Sequence, residues 1–313
     1  MTELRKLGGV DASSGIPSEP KLLEVDAILV HYRSDGLLLD LLADLASQED
    51  VVVHVHIIEC GRDGTLERLA DDQDLDIRTP GQNLGYTGGN NLALPELSTS
   101  GRLVLVINPD VRLSGTRCLT ELANALLTNP RLAALAPTIR TPKGLIEYTD
   151  SLIDLDTNRI EHTGTNVDAW PPESPECVDL SWIDGSCILF RGEALADVGL
   201  FDEQFFLFAE EVDWCMRAGH QGWRLAVHTR IEITHTRSAS FGNSPKGAYY
   251  YWRNRYLLGQ KYKGFGPWIL PWLRALVRFC ITRNALRTRQ SLFAIRGAID
   301  AIRSRGGRMP RDE

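Results

Sequence analysis

The chain of 313 residues has room for one large α/β domain with an appendage, or for two modest domains, and its 43% hydrophobic and 24% charged residues are those of an ordinary soluble globular protein with a sizeable core. The overall charge of -7 conceals an asymmetry: from Pro245 onward 15 Lys and Arg stand against 3 Asp and Glu, while the preceding residues hold 38 acids and 19 bases. A basic tail on an acidic body points the tail at something anionic, and no nucleic-acid partner is expected. Six cysteines with no CxxC pair argue against a structural zinc site and read as reduced core thiols of a cytosolic protein.

The start of the chain is rich in Gly, Ser and Pro and lacks the apolar stretch of a signal peptide, so residues 1–24 are expected to form a flexible tail. VDAILVHY at 25–32 reads as a first buried strand, RSDGLLLDLLADLASQ as a helix with its leucines inward, and VVVHVHII at 51–58 as a second strand. ECGRDGT and a short helix follow, then an extended piece at 76–78 and a glycine-rich run, GQNLGYTGGNN, leading to a helix that starts near Asn90. RLVLVINPDV at 102–111 is the central strand, followed by a helix over 116–127 and a less regular region to about Cys177. A strand at 188–190, helices over 192–198 and 209–218, and an apolar-alternating segment ending at His235 complete the pattern. Alternating strands and helices predict an α/β fold on a doubly wound sheet, with a ligand crevice at the carboxyl ends of the strands.

Several places along this pattern carry chemistry. Pro109 cannot donate to a sheet ladder, so it turns the chain out of the central strand and delivers Asp110 at the strand's carboxyl end. A carboxylate there suits a hard cation bridging to phosphate oxygens, and equally a turn that merely closes a core strand. The glycines at 81, 85, 88 and 89 either let backbone N–H groups approach phosphate oxygens or form a tight connection, and the run has neither the GK[ST] ending of a P-loop nor the GxGxxG fingerprint. Glu210, Glu211 and Asp213 fall in the first turn of a helix, where the dipole favours anions. They are either a solvated cap or, walled by Phe205, Phe206, Phe208 and Trp214, a carboxylate cluster with the raised proton affinity that a general base needs. His235, at a strand end, is either structural or a ligand.

Taken in order, AILVHYRS, ECGRDGT, NLGYTGGNN, INPDV, GLFDEQFFLFAEEVDWCMRAGHQGW, THTRS and YYYWRNRY resemble the inverting nucleotide-sugar glycosyltransferases of family 2, and within them bacterial rhamnosyltransferase-like members that build cell-surface polysaccharides or decorate natural products. The resemblance covers about residues 25–256 and implies the GT-A fold there, a mixed, mostly parallel sheet flanked by helices, with 257–313 as a basic helical C-terminal extension. It implies Mg²⁺ or Mn²⁺ on the donor diphosphate, held by Asp110 and His235, with Asn108 standing where other members have a first Asp. It implies Glu211 as the catalytic base, often an Asp in the family, with Glu210 and Asp213 as flanking acceptor-side acids and Asp184 of the WIDGS turn as a further acceptor contact. Donor contacts would come from His31, Tyr32 and Arg33, from Asn83, Gly85 and Asn90 of the glycine-rich block, and from Glu59 and Asp63. Glu59-Cys60 departs from the usual valine-aspartate-asparagine sequence whose Asp recognises the base.

The implied chemistry is one in-line displacement with inversion, from a dTDP-sugar (rhamnose or another deoxysugar) or a UDP-sugar to a hydroxyl of a sugar, lipid-linked or small-molecule acceptor. After Gly264, PWILPWLRALVRFCITR is too short and too charged to span a bilayer. It and a basic helix over 284–304 read either as amphipathic helices on the inner face of the plasma membrane, or as a pair packed on the catalytic domain or at a homo-oligomer seam. Two other functions are weighed. A sugar nucleotidyltransferase would need an N-terminal glycine-rich signature with a basic residue, which AILVHYRSDG does not supply; a non-enzymatic membrane- or partner-binding protein with a degenerate body draws only on Glu59 and the missing first metal acid.

Overall fold

The structure, a computed structural model, describes residues 22–33, 35–61, 66, 75–236, 244–281 and 285–310. The N-terminal half runs β1 (Leu23–His31), α1 (Asp35–Ala46), β2 (Val51–Glu59), β3 (Leu75–Arg78), α2 (Gly85–Asn91), α3 (Leu94–Leu97), β4 (Leu103–Ile107), β5 (Val111–Leu113) and α4 (Cys118–Thr128). It continues through β6 (Leu132–Arg140), β7 (Asp150–Asp154), β8 (Arg159–Thr163), β9 (Cys177–Asp179), β10 (Cys187–Arg191), α5 (Gly192–Val198), α6 (Glu210–His220) and β11 (Arg224–His235). Three helices close the chain: α7 (Pro245–Lys263), α8 (Ile269–Ile281) and α9 (Ala285–Ile302).

One sheet has the order β3-β2-β1-β4-β10-β6-β11-β5, with β9 also on β11, and β7 and β8 form a separate hairpin. Its longest ladders, β1 with β2 and β6 with β11, are parallel, while β10 runs antiparallel between β4 and β6. The result is the expected mixed, mostly parallel sheet. All five residues of β4 are buried because helices cover both faces. Leu103, Leu105 and Ile107 pack with Leu41 of α1 and Leu122 of α4, whereas Val104 and Val106 pack with Leu94 of α3 and Trp214 of α6.

Three expectations change. The predicted helix start near Asn90 moves to Gly85, so Gly85, Gly88 and Gly89 lie inside α2 and Gly81 precedes it. A Cβ at position 89 would fall 2.8 Å from both Val30 methyl carbons, so these glycines let α2 lie close on β1. The less regular region contains β6 through β9; Pro137 sits in β6 opposite His228, where the β11 register shifts, a bulge that accommodates a residue unable to donate. The boundary expected at 257 falls inside α7, which is one uninterrupted helix; its Trp252 and Tyr256 join Trp268 and Trp272 in the core beneath α5 and α6.

Candidate active site

The carboxyl ends of β1 and β2 bring His31 and Glu59 together: His31 Nδ1 lies 3.0 Å from Glu59 Oε2, both side chains being buried. Glu59 also accepts from the Gly61 amide. Tyr32 is half-buried, with the exposed Arg33 guanidinium 5.4 Å from its ring centroid. Asp63 lies outside the described residues.

At the end of β4 the Asn108 amide donates to the Ser186 carbonyl at 2.8 Å, tying the strand end to the turn that enters β10. Two residues on, Asp110 Oδ1 lies 3.2 Å from His235 Nε2. The two meet because β5 pairs with β11 in a register that sets His235 opposite Val111, and because the Thr236 amide and hydroxyl both donate to the Asp110 carbonyl. Burial disfavours protonation of His235, but the hydrogen bond to Asp110 and the charges of Asp184, Asp110 and Glu147 outweigh it and raise its pKa. His235 Nδ1 is buried with no hydrogen-bond partner. No cluster of three or more His, Cys, Asp or Glu side chains able to hold a metal ion occurs among the described residues. One carboxylate and one imidazole nevertheless fit a hard cation that takes its other ligands from substrate phosphates.

The acids of α6 are presented by an unusual entry. Phe208 and Ala209 both have left-handed backbones, at φ 68° and 71°, costly for residues with a Cβ and tolerated only where the surroundings impose it. Asn254 of α7 imposes it, donating to the Leu207 and Phe208 carbonyls, while Arg253 donates to the Gln204 carbonyl and to Asn254 Oδ1. From the other side Gly85, at φ 72°, lets the start of α2 approach Phe206 so closely that a Cβ would fall 2.2 Å from its carbonyl oxygen. Asn83 Oδ1 accepts from the Gly85 amide at 2.8 Å, and the Asn90 amide donates to the Tyr86 carbonyl. Asn83, Gly85 and Asn90 thus shape this corner of the protein.

Glu211 faces the WIDGS turn, where Asp184 Oδ1 accepts from the Ser186 amide at 2.9 Å and Tyr86 donates its hydroxyl proton to the Gly185 carbonyl. Burial, helped by the negative charge of Asp184, pushes the Glu211 carboxyl up to about 7, while burial and the charge of Glu211 push Glu210 up as well. Asp184 also raises Tyr86 and His235, so its carboxylate lies within electrostatic reach of both the acid helix and the Asp110–His235 pair. His162 of β8, stacked between Tyr148 and Trp182 at 3.6 and 3.8 Å, comes within 4.0 Å of Asp184.

The structure does not bring Asp213 to this group. Two residues after Glu211 is roughly 200° around a helix, and the buried Asp213 carboxylate meets Arg217 at 2.9 Å, Lys261 at 2.6 Å and the Tyr262 hydroxyl at 2.9 Å. Tyr86, His162, Arg253 and Asn254 are the site's unforeseen members. Tyr86 and the Arg253–Asn254 pair lie within stretches singled out in the sequence, yet no local signal assigns them a role.

No family model matches the chain. It is 27% identical over 305 residues to a Mycobacterium tuberculosis protein named N-acetylglucosaminyl-diphospho-decaprenol L-rhamnosyltransferase, covering 89% of this chain and 95% of that protein. Among solved structures, S. aureus TarS 1-349 in complex with UDP-GlcNAc matches with a TM-score of 0.54 at 16% identity, over 90% of this chain and 82% of that one. A Pyrobaculum calidifontis mannosyltransferase in complex with GDP-Man and Mn²⁺ matches with a TM-score of 0.53 at 15% identity, over 91% and 76%. These structures establish the fold. The protein is a glycosyltransferase of the GT-A fold, and the curated proteins it resembles include a rhamnosyltransferase and a hexosyltransferase.

Proposed function

We propose that the protein is an inverting, metal-dependent transferase that moves a deoxyhexose, rhamnose in the first instance, from a dTDP-sugar to a hydroxyl of a lipid-linked sugar. The observation that carries the reading is Glu211, a buried carboxyl with its pKa raised to about 7, facing the same turn whose Asp184 acts on the Asp110–His235 pair. A general base is most effective when its pKa lies near the working pH. The sugar and acceptor are suggested by the name of the mycobacterial relative.

In this reading Glu211 takes the proton from the acceptor hydroxyl as that oxygen attacks the anomeric carbon, and Asp184 orients the acceptor. Burial and its neighbour's charge raise the proton affinity of Glu210, which disfavours a second negative charge beside the base. Asp110 and His235 would hold Mg²⁺ or Mn²⁺, which when bound supplies Lewis-acid neutralisation of the departing diphosphate. His31, Tyr32 and Arg33 line the donor side, with Glu59 braced by His31.

Calorimetric titration with dTDP and UDP, each with and without Mn²⁺, on wild type and Asp110→Ala tests the donor half. Metal-dependent binding lost in the variant supports the reading, and tighter binding of dTDP supports the donor class. Failure of either nucleotide to bind under any metal condition overturns it.

A further inference from the structure

Helices α8 and α9 each bury one side and expose the other. On α8, Trp272 and Leu276 face the core while Leu273, Val277 and Ile281 form an outer stripe, 44% to 74% exposed. On α9, Ala294, Ala298 and Ala301 pack inward, and Leu292, Ile295 and Ile302 are 43% to 63% exposed. A Cβ on Gly297 would fall 2.3 Å from the Tyr249 carbonyl oxygen, so α9 lies hard against α7 and its outer stripe is fixed to the body.

Within the two helices the exposed charge has one sign. The only carboxylate in either helix is Asp300, which is buried and held by the Tyr249 hydroxyl and Arg305. Arg274, Arg278, Arg289 and Arg303 occupy exposed positions. Exposed aliphatic side chains bordered by guanidinium groups, without an exposed acid, match a surface that is apolar inside and anionic at its rim. No helix among the described residues is long and apolar enough to cross a membrane, so contact would be parallel to the surface. A twofold pairing of this face with itself would set guanidinium against guanidinium, which disfavours a second copy as its occupant.

We propose that α8 and α9 form one docking face for an anionic lipid bilayer, the aliphatic stripes entering the acyl boundary and the arginines meeting lipid phosphates. The inference deepens the lipid-linked acceptor reading without depending on it, because bilayer binding is measured without transfer.

The test is co-sedimentation of the full chain with phosphatidylcholine vesicles and with vesicles that also contain phosphatidylglycerol. Wild type is expected to bind the anionic vesicles about tenfold more tightly, with binding weakened by added salt. Leu273→Ser/Val277→Ser, two exposed positions, should reduce binding about tenfold while nucleotide titration and the melting temperature stay as in wild type. Arg274→Gln/Arg303→Gln should abolish the preference for anionic vesicles. The proposal is overturned if wild type binds neither vesicle, if both compositions bind equally, if both double variants bind like wild type, or if the aliphatic double variant instead dissolves a dimer seen by sedimentation velocity without lipid.

Discussion

Asn254 Nδ2 lies 2.7 Å from the carbonyl oxygen of Phe208, and the same amide reaches the Leu207 carbonyl at 2.7 Å. A side chain of α7 thereby fixes the left-handed entry to α6, and with it the direction in which Glu211 points. Asn254→Ala leaves two carbonyls without this donor in a buried place, at a cost of about 1–3 kcal/mol. The expected kinetic result is a fall in kcat with little change in nucleotide affinity. Steady-state kinetics beside nucleotide titration separate the two, and unchanged kcat in a folded variant would remove Asn254 from the positioning role.

Glu211→Gln keeps the shape and removes the proton acceptor. Turnover should fall by roughly 10²–10⁴-fold with nucleotide binding retained. Wild-type kcat should rise with pH as Glu211 loses its proton, around its pKa of about 7. Stability should run the other way. The folded pKa is raised above the unfolded value of 4.5, so the native state holds a proton that the unfolded state releases, and stability falls as pH rises from about 4.5 to about 7. The raised pKa of Glu210 adds to the same slope. Denaturant melts across this window should show a shallower decline in Glu211→Gln than in wild type.

Asp213 offers the contrasting case. Truncating this carboxylate removes one partner each from Arg217 and Lys261, but Lys261 keeps Asp202 at 2.6 Å and Arg217 keeps the Val198 and Leu200 carbonyls, so Asp213→Ala should cost about 1–3 kcal/mol. Below its melting transition the variant should bind nucleotide normally. A stable variant with a selective loss of acceptor affinity would return Asp213 to the acceptor side.

Gly85→Ala faces two penalties at once, a left-handed backbone at φ 72° and a methyl group 2.2 Å from the Phe206 carbonyl oxygen. Thermal denaturation should show a loss of at least about 1 kcal/mol, because the native backbone there is incompatible with a Cβ. Activity should drop with it, since the displaced loop leads directly into Glu210 and Glu211.

β1 and β4 were legible because they are largely buried on both faces and read as continuous apolar runs. Asp110 was legible because Pro109 marks where the strand must end. β6 was not, since its alanines and Pro137 dilute the strand signal that a bulge opposite His228 restores in three dimensions. The glycine-rich block left two readings open, because glycines needed for close packing of α2 on β1 look, in one dimension, like glycines of a phosphate loop. Glu210 and Glu211 could be placed from helix position alone, but the partners that turn Asp213 away lie as far off as Lys261 and Tyr262. Asn254 acts on a carbonyl 46 residues earlier, a relationship with no local trace.

The register that sets His235 opposite Val111 also imposes an order of assembly. β11 is the last strand of the sheet, and it pairs with β5, β6 and β9. A growing chain can form β3-β2-β1-β4 long before residue 235 is made, yet Asp110 has no imidazole beside it until that final strand is laid down. Contacts so distant in sequence carry a large loop-closure cost and form slowly. Half-made or prematurely truncated chains therefore lack the Asp110–His235 pair, which exists only when the sheet is complete.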